Sequence, residues 1–185
     1  DAIGPYEVLD NGATEGADLS VSLRTLEKRS QIRASHGLRI TPDGELGQTN
    51  PDLVIVPGGG WNDRADTGAW AEAERGDLPD WLATSHEGGA TVGAVCTGGM
   101  ILSRAGLLEG RPAITHGGAI DELRAEGAEV IDARVVDDGD VVTAGGVTSG
   151  IDLGLYLLER EFGADLAERV AKRMEYDRRG PIHRP

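Results

Sequence analysis

An α/β fold with a mainly parallel central sheet is predicted by three features of the 185-residue sequence. Short apolar runs bounded by Gly, Pro, Asn and Asp recur at strand length. They alternate with longer stretches of helical periodicity, the pattern of βα units wound around one sheet. One run ends in a cysteine flanked by small residues, the strand–turn–helix of a nucleophile elbow. The length suits one well-filled core and is short for two, so a single domain over residues 1–176 is expected. Residues 177–185 are charged, contain Pro181 and Pro185, and read as a loosely held tail.

Residues 19–26 alternate apolar and polar and read as a strand, and 38–40 as a short extended piece. Leu53-Val54-Ile55-Val56 reads as a buried central strand, because a parallel strand covered on both faces is continuously apolar. Pro57 and Gly58-Gly59-Gly60 stop it. Residues 70–75 and 78–85 read as helices, with Pro79 tolerated near a helix start, and 91–95 as the next strand. Over 97–108, Met100, Ile101, Leu102, Ala105, Leu107 and Leu108 fit a helix lying on the sheet and ended by Gly110. Brief strands at 112–115 and 128–133 flank a helix at 119–126. Val135-Val136 and Val141-Val142-Thr143 bracket Asp137-Asp138-Gly139-Asp140, whose Asp-Gly step signals a hairpin. Helices at 149–161 and 165–176 follow, and no internal repeat is visible.

Composition narrows the function classes. The net charge is −14, from 32 acidic against 18 basic residues, and only Lys28 and Lys172 among the basic ones are not Arg. Such a field repels phosphate backbones, so nucleic acid is excluded as a partner. The same excess, with few Lys and a single Phe, Phe162, fits either an ordinary solvated surface or a salt-rich, halophilic cytoplasm. No apolar run approaches the roughly 20 residues of a membrane-spanning helix, and no basic n-region with an apolar stretch precedes the fold. A cytoplasmic protein with a small-molecule substrate and no membrane partner is expected. Four dispersed His and one Cys give no ligand spacing, so neither a metal nor a cofactor is expected.

A lone cysteine is either a small core hydrophobe or a reactive thiol. Gly93-Ala94-Val95-Cys96-Thr97-Gly98-Gly99 decides for the second, since small residues at −2, +2 and +3 are what a strained elbow requires. A helix N-terminus also favours the thiolate. Negative charge developing on a substrate needs donors, and the amides of Gly58, Gly59 and Gly60 lie at the carboxyl end of the preceding strand, where open α/β sheets collect their site loops. Gly145, Gly146 and Gly150 read as close packing beside the elbow. Trp61 reads as a pocket cover or a surface anchor, Trp70 and Trp81 as helix-packing residues.

Several motifs, in order, resemble the ThiJ/PfpI superfamily. They are Asp1-x-x-Gly4-Pro5-x-Glu7-Val8-Leu9, Val56-Pro57-Gly58-Gly59-Gly60, Ala94-Val95-Cys96-Thr97-Gly98, Ala105-Gly106-Leu107-Leu108-Glu109-Gly110-Arg111, Thr115-His116, and the run from Val142 through Thr143, Gly145, Gly146, Ser149 and Gly150 to Leu153. Within it they are most similar to the isonitrile hydratase branch and to the ligand domains of AraC-type regulators. The resemblance implies a flavodoxin-like three-layer sandwich, a homodimer, and a first strand just upstream of Asp1. It makes Asp1 the acid that hydrogen-bonds the Cys96 thiol and shuttles protons, with Glu7 as a fallback on a helix facing away, and it gives the Thr97 amide to the anion pocket. It places His116 near the thiol, lining the pocket or tuning the thiolate. Peptidase-like members carry His where Thr97 stands, and amidotransferases need a late His-x-Glu pair that neither His86 nor His183 begins, so both activities are set aside. Relatives often carry Trp where Gly117 stands, which bears on the pocket wall and hence the substrate.

The resulting expectation is a cysteine-nucleophile enzyme, a lyase or hydrolase that adds water to a small carbon electrophile as an isonitrile hydratase does. The alternatives are a glyoxalase- or deglycase-like enzyme acting on a 2-oxoaldehyde, a redox-sensing stress protein whose thiolate oxidises, and a non-catalytic ligand-binding module.

Overall fold

The computed structural model describes residues 1–47 and 49–185. Helix α1 (Ile3–Thr14) buries Pro5, Val8, Leu9 and Gly12, the i, i+3, i+4, i+7 stripe of an amphipathic helix. Four two-residue strands follow, β1 (Arg24–Thr25), β2 (Ile32–Arg33), β3 (Arg39–Ile40) and β4 (Gly44–Glu45). Strand β1 pairs with β4 in parallel and β2 with β3 antiparallel. The strand expected over 19–26 is thus cut to Arg24–Thr25. The Leu23 amide donates to Asp43 Oδ2 at 2.7 Å and Leu23 O accepts from the Asp43 amide at 2.7 Å, so one aspartate takes both backbone groups that a longer ladder would use. Leu19 and Val21 still pack against the core.

The chain continues through β5 (Leu53–Val56), α2 (Ala69–Arg75), α3 (Asp77–Glu87), β6 (Thr91–Val95), α4 (Gly98–Arg104), β7 (Pro112–Ala113), α5 (Ile120–Ala125) and β8 (Glu129–Val130). It ends with β9 (Val135–Asp137), β10 (Val141–Ala144), α6 (Ser149–Phe162), α7 (Ala164–Arg173) and β11 (Ile182–His183). The central sheet runs β11-β9-β10-β6-β5. Strands β5, β6 and β10 are parallel, and β9 returns antiparallel through the hairpin that Asp138-Gly139 turns. Side chains along the strands alternate between two cores. Val54, Val56, Val92, Ala94 and Val141 join the layer of α2 to α5, while Leu53, Ile55, Val95, Val142 and Ala144 face α1, α6 and α7. The protein is therefore a three-layer α/β sandwich with a mostly parallel sheet.

Strand β5 pairs with β6, and only Val56 of its residues is fully buried; its unbroken apolar run reports two covered faces. Helix α4 ends at Arg104, before Gly110. Gly106 takes a left-handed φ of 75°, its amide reaches Ser103 O at 2.9 Å and the Leu107 amide reaches Leu102 O at 3.1 Å, a Schellman stop. Within the tail, Ile182 and His183 pair with Val135 and Val136, and Arg178 and Arg184 both hold Glu159.

Candidate active site around Cys96

Strand β6 delivers Cys96 to the mouth of the sheet, and α4 starts two residues later. Cys96 has a φ of 59°, a left-handed conformation that costs a non-glycine residue about 1–3 kcal/mol and persists only where its surroundings impose it. They do so through the backbone. The Cys96 amide donates to Ala144 O at 3.1 Å and Gly145 O at 2.9 Å, and the Thr115 hydroxyl donates to Cys96 O at 2.8 Å. The thiol is buried, with the residue 6% exposed.

The glycine turn after β5 lies directly against the elbow. A Cβ on Gly58 would come within 2.5 Å of the Thr97 amide nitrogen, and one on Gly98 within 2.2 Å of Val56 O, so neither position admits a side chain. Of the three amides expected to serve as anion donors, two are engaged within the protein. Gly58 N donates to Asp1 Oδ2 at 3.1 Å and Gly59 N to Thr97 Oγ1 at 2.9 Å. The amides of Gly60, Thr97 and Gly98 donate to no group among the described residues, and those of Thr97 and Gly98 are first-turn donors of α4 left for an anion. Asp1 is therefore brought to the glycine turn that overlies the elbow, and its backbone carbonyl rests against Gly150 at the start of α6.

His116 follows Thr115 and stands half-buried. Its Nδ1 accepts from the Gly118 amide at 3.0 Å, capping the short turn Gly117–Ala119, so the neutral ring carries its proton on Nε2. The Cδ2 edge of the ring lies against Gly146. His116 thus offers an N–H donor, with its other nitrogen spent on the cap. Glu7 is exposed on α1 and bonded to Asn11, facing away as expected. Trp61 is neither a cover nor a surface anchor. It is 1% exposed, donates from Nε1 to Glu122 Oε2 at 2.8 Å and meets Trp70 edge-on at 5.1 Å. Trp70 and Trp81 pack on the same core.

Residues that sequence reasoning passed over are Thr115 as the clamp on the Cys96 carbonyl, Thr143, whose hydroxyl accepts from the Ile114 amide at 2.9 Å, and Arg134. The two threonines had a signal. Each is a polar residue within a short apolar stretch, and a buried hydroxyl there needs a partner. No group of three or more acidic, His or Cys side chains spaced for a metal occurs among the described residues, and no described helix is long and apolar enough to cross a membrane.

A three-layer α/β sandwich with a strained cysteine elbow, a carboxylate brought to the adjoining glycine turn and free helix-start amides defines a class of cysteine-centred α/β proteins. Residues 1–160 match the DJ-1/PfpI family, and the chain belongs to it. It is 34% identical over 177 residues to isonitrile hydratase of Pseudomonas putida, covering 95% of this chain and 72% of that one. It is 33% identical over 153 residues to the transcriptional regulator CdhR of Pseudomonas aeruginosa, covering 81% of this chain but only 43% of the regulator. Among solved structures, a THiJ/PfpI family protein from Pseudomonas syringae superposes with a TM-score of 0.82 at 28% identity, over 98% of this chain and 71% of that one. Drosophila melanogaster DJ-1beta shares the fold, with a TM-score of 0.78 at 22% identity over 95% of this chain and 92% of its own.

Proposed function

We propose that the protein is a cytoplasmic cysteine-dependent hydratase of small carbon electrophiles, with isonitriles as its substrate class. The observation that carries the reading is the junction of Cys96, at φ 59° on the elbow, with the glycine turn whose Gly58 amide holds the Asp1 carboxylate. The relation to isonitrile hydratase over nearly the whole chain supports it.

The Cys96 thiolate attacks the terminal isonitrile carbon, forming a C–S bond, and Asp1 in its protonated form delivers a proton to that carbon. The product is a thioimidate, R–N=CH–S. Water adds to the same carbon: the Asp1 carboxylate takes one of its protons and so returns to the acid form, and the nitrogen takes a proton from solvent. The C–S bond then breaks as the adduct's hydroxyl gives its proton to solvent and becomes the carbonyl, releasing an N-substituted formamide and the thiolate. Charge that develops outside the elbow meets the Thr97 and Gly98 amides, and the His116 Nε2–H supplies a further donor.

A mass-resolved assay of alkyl isonitriles and 2-oxoaldehydes in parallel tests the reading. Formamide appearing with the wild-type chain and vanishing in Cys96→Ala supports it; turnover that survives Cys96→Ala overturns it. Turnover of the aldehyde alone points instead to a thiohemiacetal route. A second reading, a ligand-binding module, draws on the likeness to CdhR, and is favoured if both substrate classes bind without turnover. The active form is a homodimer of single-domain chains, read out by light scattering.

A further inference from the structure

The loop from Gly145 to Gly150 touches three of the residues placed at the site, Cys96, His116 and Asp1. Gly145 O accepts from the Cys96 amide, Gly146 lies against the His116 ring, and Gly150 abuts the Asp1 carbonyl. The loop itself is strained: Val147 is a β-branched residue at φ 39° with 57% of its surface exposed, so its conformation is not set by its own packing. Something behind it must hold it.

That holder is Arg134. Its carbonyl accepts from the Gly145 amide at 3.1 Å and its Nη2 donates to Thr148 Oγ1 at 3.0 Å, so one residue grips the loop at two points. Its Nε pairs with Asp152, which is 1% exposed and also accepts from Tyr176 OH at 2.9 Å and the Arg179 amide at 2.7 Å. Its own amide donates to Pro181 O at 2.8 Å. The loop and the tail line one open depression, with Gly145, Gly146 and Ser149 on one side and Gly180 and Pro181 on the other.

We propose that Arg134, anchored by buried Asp152 and the C-terminal tail, is a positioning residue that holds the Gly145–Thr148 loop and so sets the reactivity of the Cys96 thiol. It acts through Gly145 and Thr148 and touches no reacting atom. The proposal rests on Cys96 being the nucleophile, but not on the identity of the electrophile.

Because the chain has one cysteine, the mass increment from iodoacetamide reports on Cys96 alone and needs no substrate. Asp152→Asn unbalances a buried ion pair and can unfold the protein, so the deciding variant is Thr148→Val. It keeps the β-branched shape at an exposed position and removes only the hydroxyl that Arg134 grips. Alkylation in Thr148→Val is expected to slow about tenfold at an unchanged melting temperature, the scale of a small misplacement at a reacting centre. Thr148→Ser, which retains the hydroxyl, should restore the wild-type rate. A Thr148→Val rate that is unchanged or faster overturns the proposal, as does failure of Thr148→Ser to recover. Isonitrile turnover by the wild-type chain, measured in parallel, is a separate readout, so the hydratase reading can fail while the positioning result stands.

Discussion

The Asp1 carboxylate and the Gly58 amide, 57 residues apart in sequence, are joined by a 3.1 Å hydrogen bond across the mouth of the site. The bond fixes one carboxylate oxygen on the glycine turn that overlies the elbow, and the proposed mechanism asks this carboxyl to cycle a proton beside Cys96. Asp1→Asn preserves an acceptor for Gly58 but cannot carry the proton. Turnover should fall by about 10²- to 10⁴-fold with little change in melting temperature, as measured by initial rates and a thermal melt of the same sample. Retained turnover would remove Asp1 from the mechanism.

Charge makes a second prediction. Fourteen unbalanced negative charges repel one another in the folded chain, while exposed ion pairs such as Arg29 with Glu27 return only about 0–1 kcal/mol each. Salt shortens the screening length from about 10 Å at 0.1 M to about 3 Å at 1 M, so it relieves more repulsion than it costs in pairing. The melting temperature should climb steadily with KCl. A flat profile would discard adaptation to a salt-rich cytoplasm.

Val147 offers a test of stored strain. Its φ of 39° is one that β-branched residues avoid and Asn tolerates. Val147 is exposed, so replacing it sacrifices little packing. Val147→Asn should stabilise the protein by about 1 kcal/mol, the lower end of the cost of such a conformation. Denaturant midpoints at constant slope measure it, and a lower midpoint would mean that the apolar side chain is covered in solution.

What could be read from the sequence follows from where each signal is local. The elbow was legible because Ala94, Gly98 and Gly99 are small where strand meets helix so abruptly, and a Cβ on Gly98 or Gly99 would crowd its neighbours. The alternation of apolar runs likewise gave the layers. Pairing was not legible: the apolar run Leu53 to Val56 reports covered faces and not which strands flank it, and Ile182-His183 is too short and polar to announce itself as a strand. The glycine turn shows a similar limit. Three glycines predict three free amides, but Gly58 and Gly59 are engaged by Asp1 and Thr97, partners set by tertiary approach. The roles of Arg134 and Asp152 depend on the docked tail and left no local pattern.

The last prediction concerns alkaline pH. Burial and then the hydrogen bond from its hydroxyl to Asp137 Oδ2, at 2.6 Å, push the Tyr156 phenol up to about 12. The ordinary value of about 10 applies in the unfolded chain, so the folded state holds this proton more tightly. Its contribution to stability is complete below about pH 10 and is lost as pH rises towards 12. Tyr176, raised by burial and by Asp152, adds to the same loss. In Tyr156→Phe, the buried Asp137 keeps Gly139 N and Arg160 but loses its shortest donor. That should cost about 1–3 kcal/mol at neutral pH and flatten the fall in melting temperature on the alkaline side. Melts across this range, read together with phenolate absorbance, separate the two effects. A variant that is weaker at neutral pH yet keeps the full alkaline slope would assign the titration to another group.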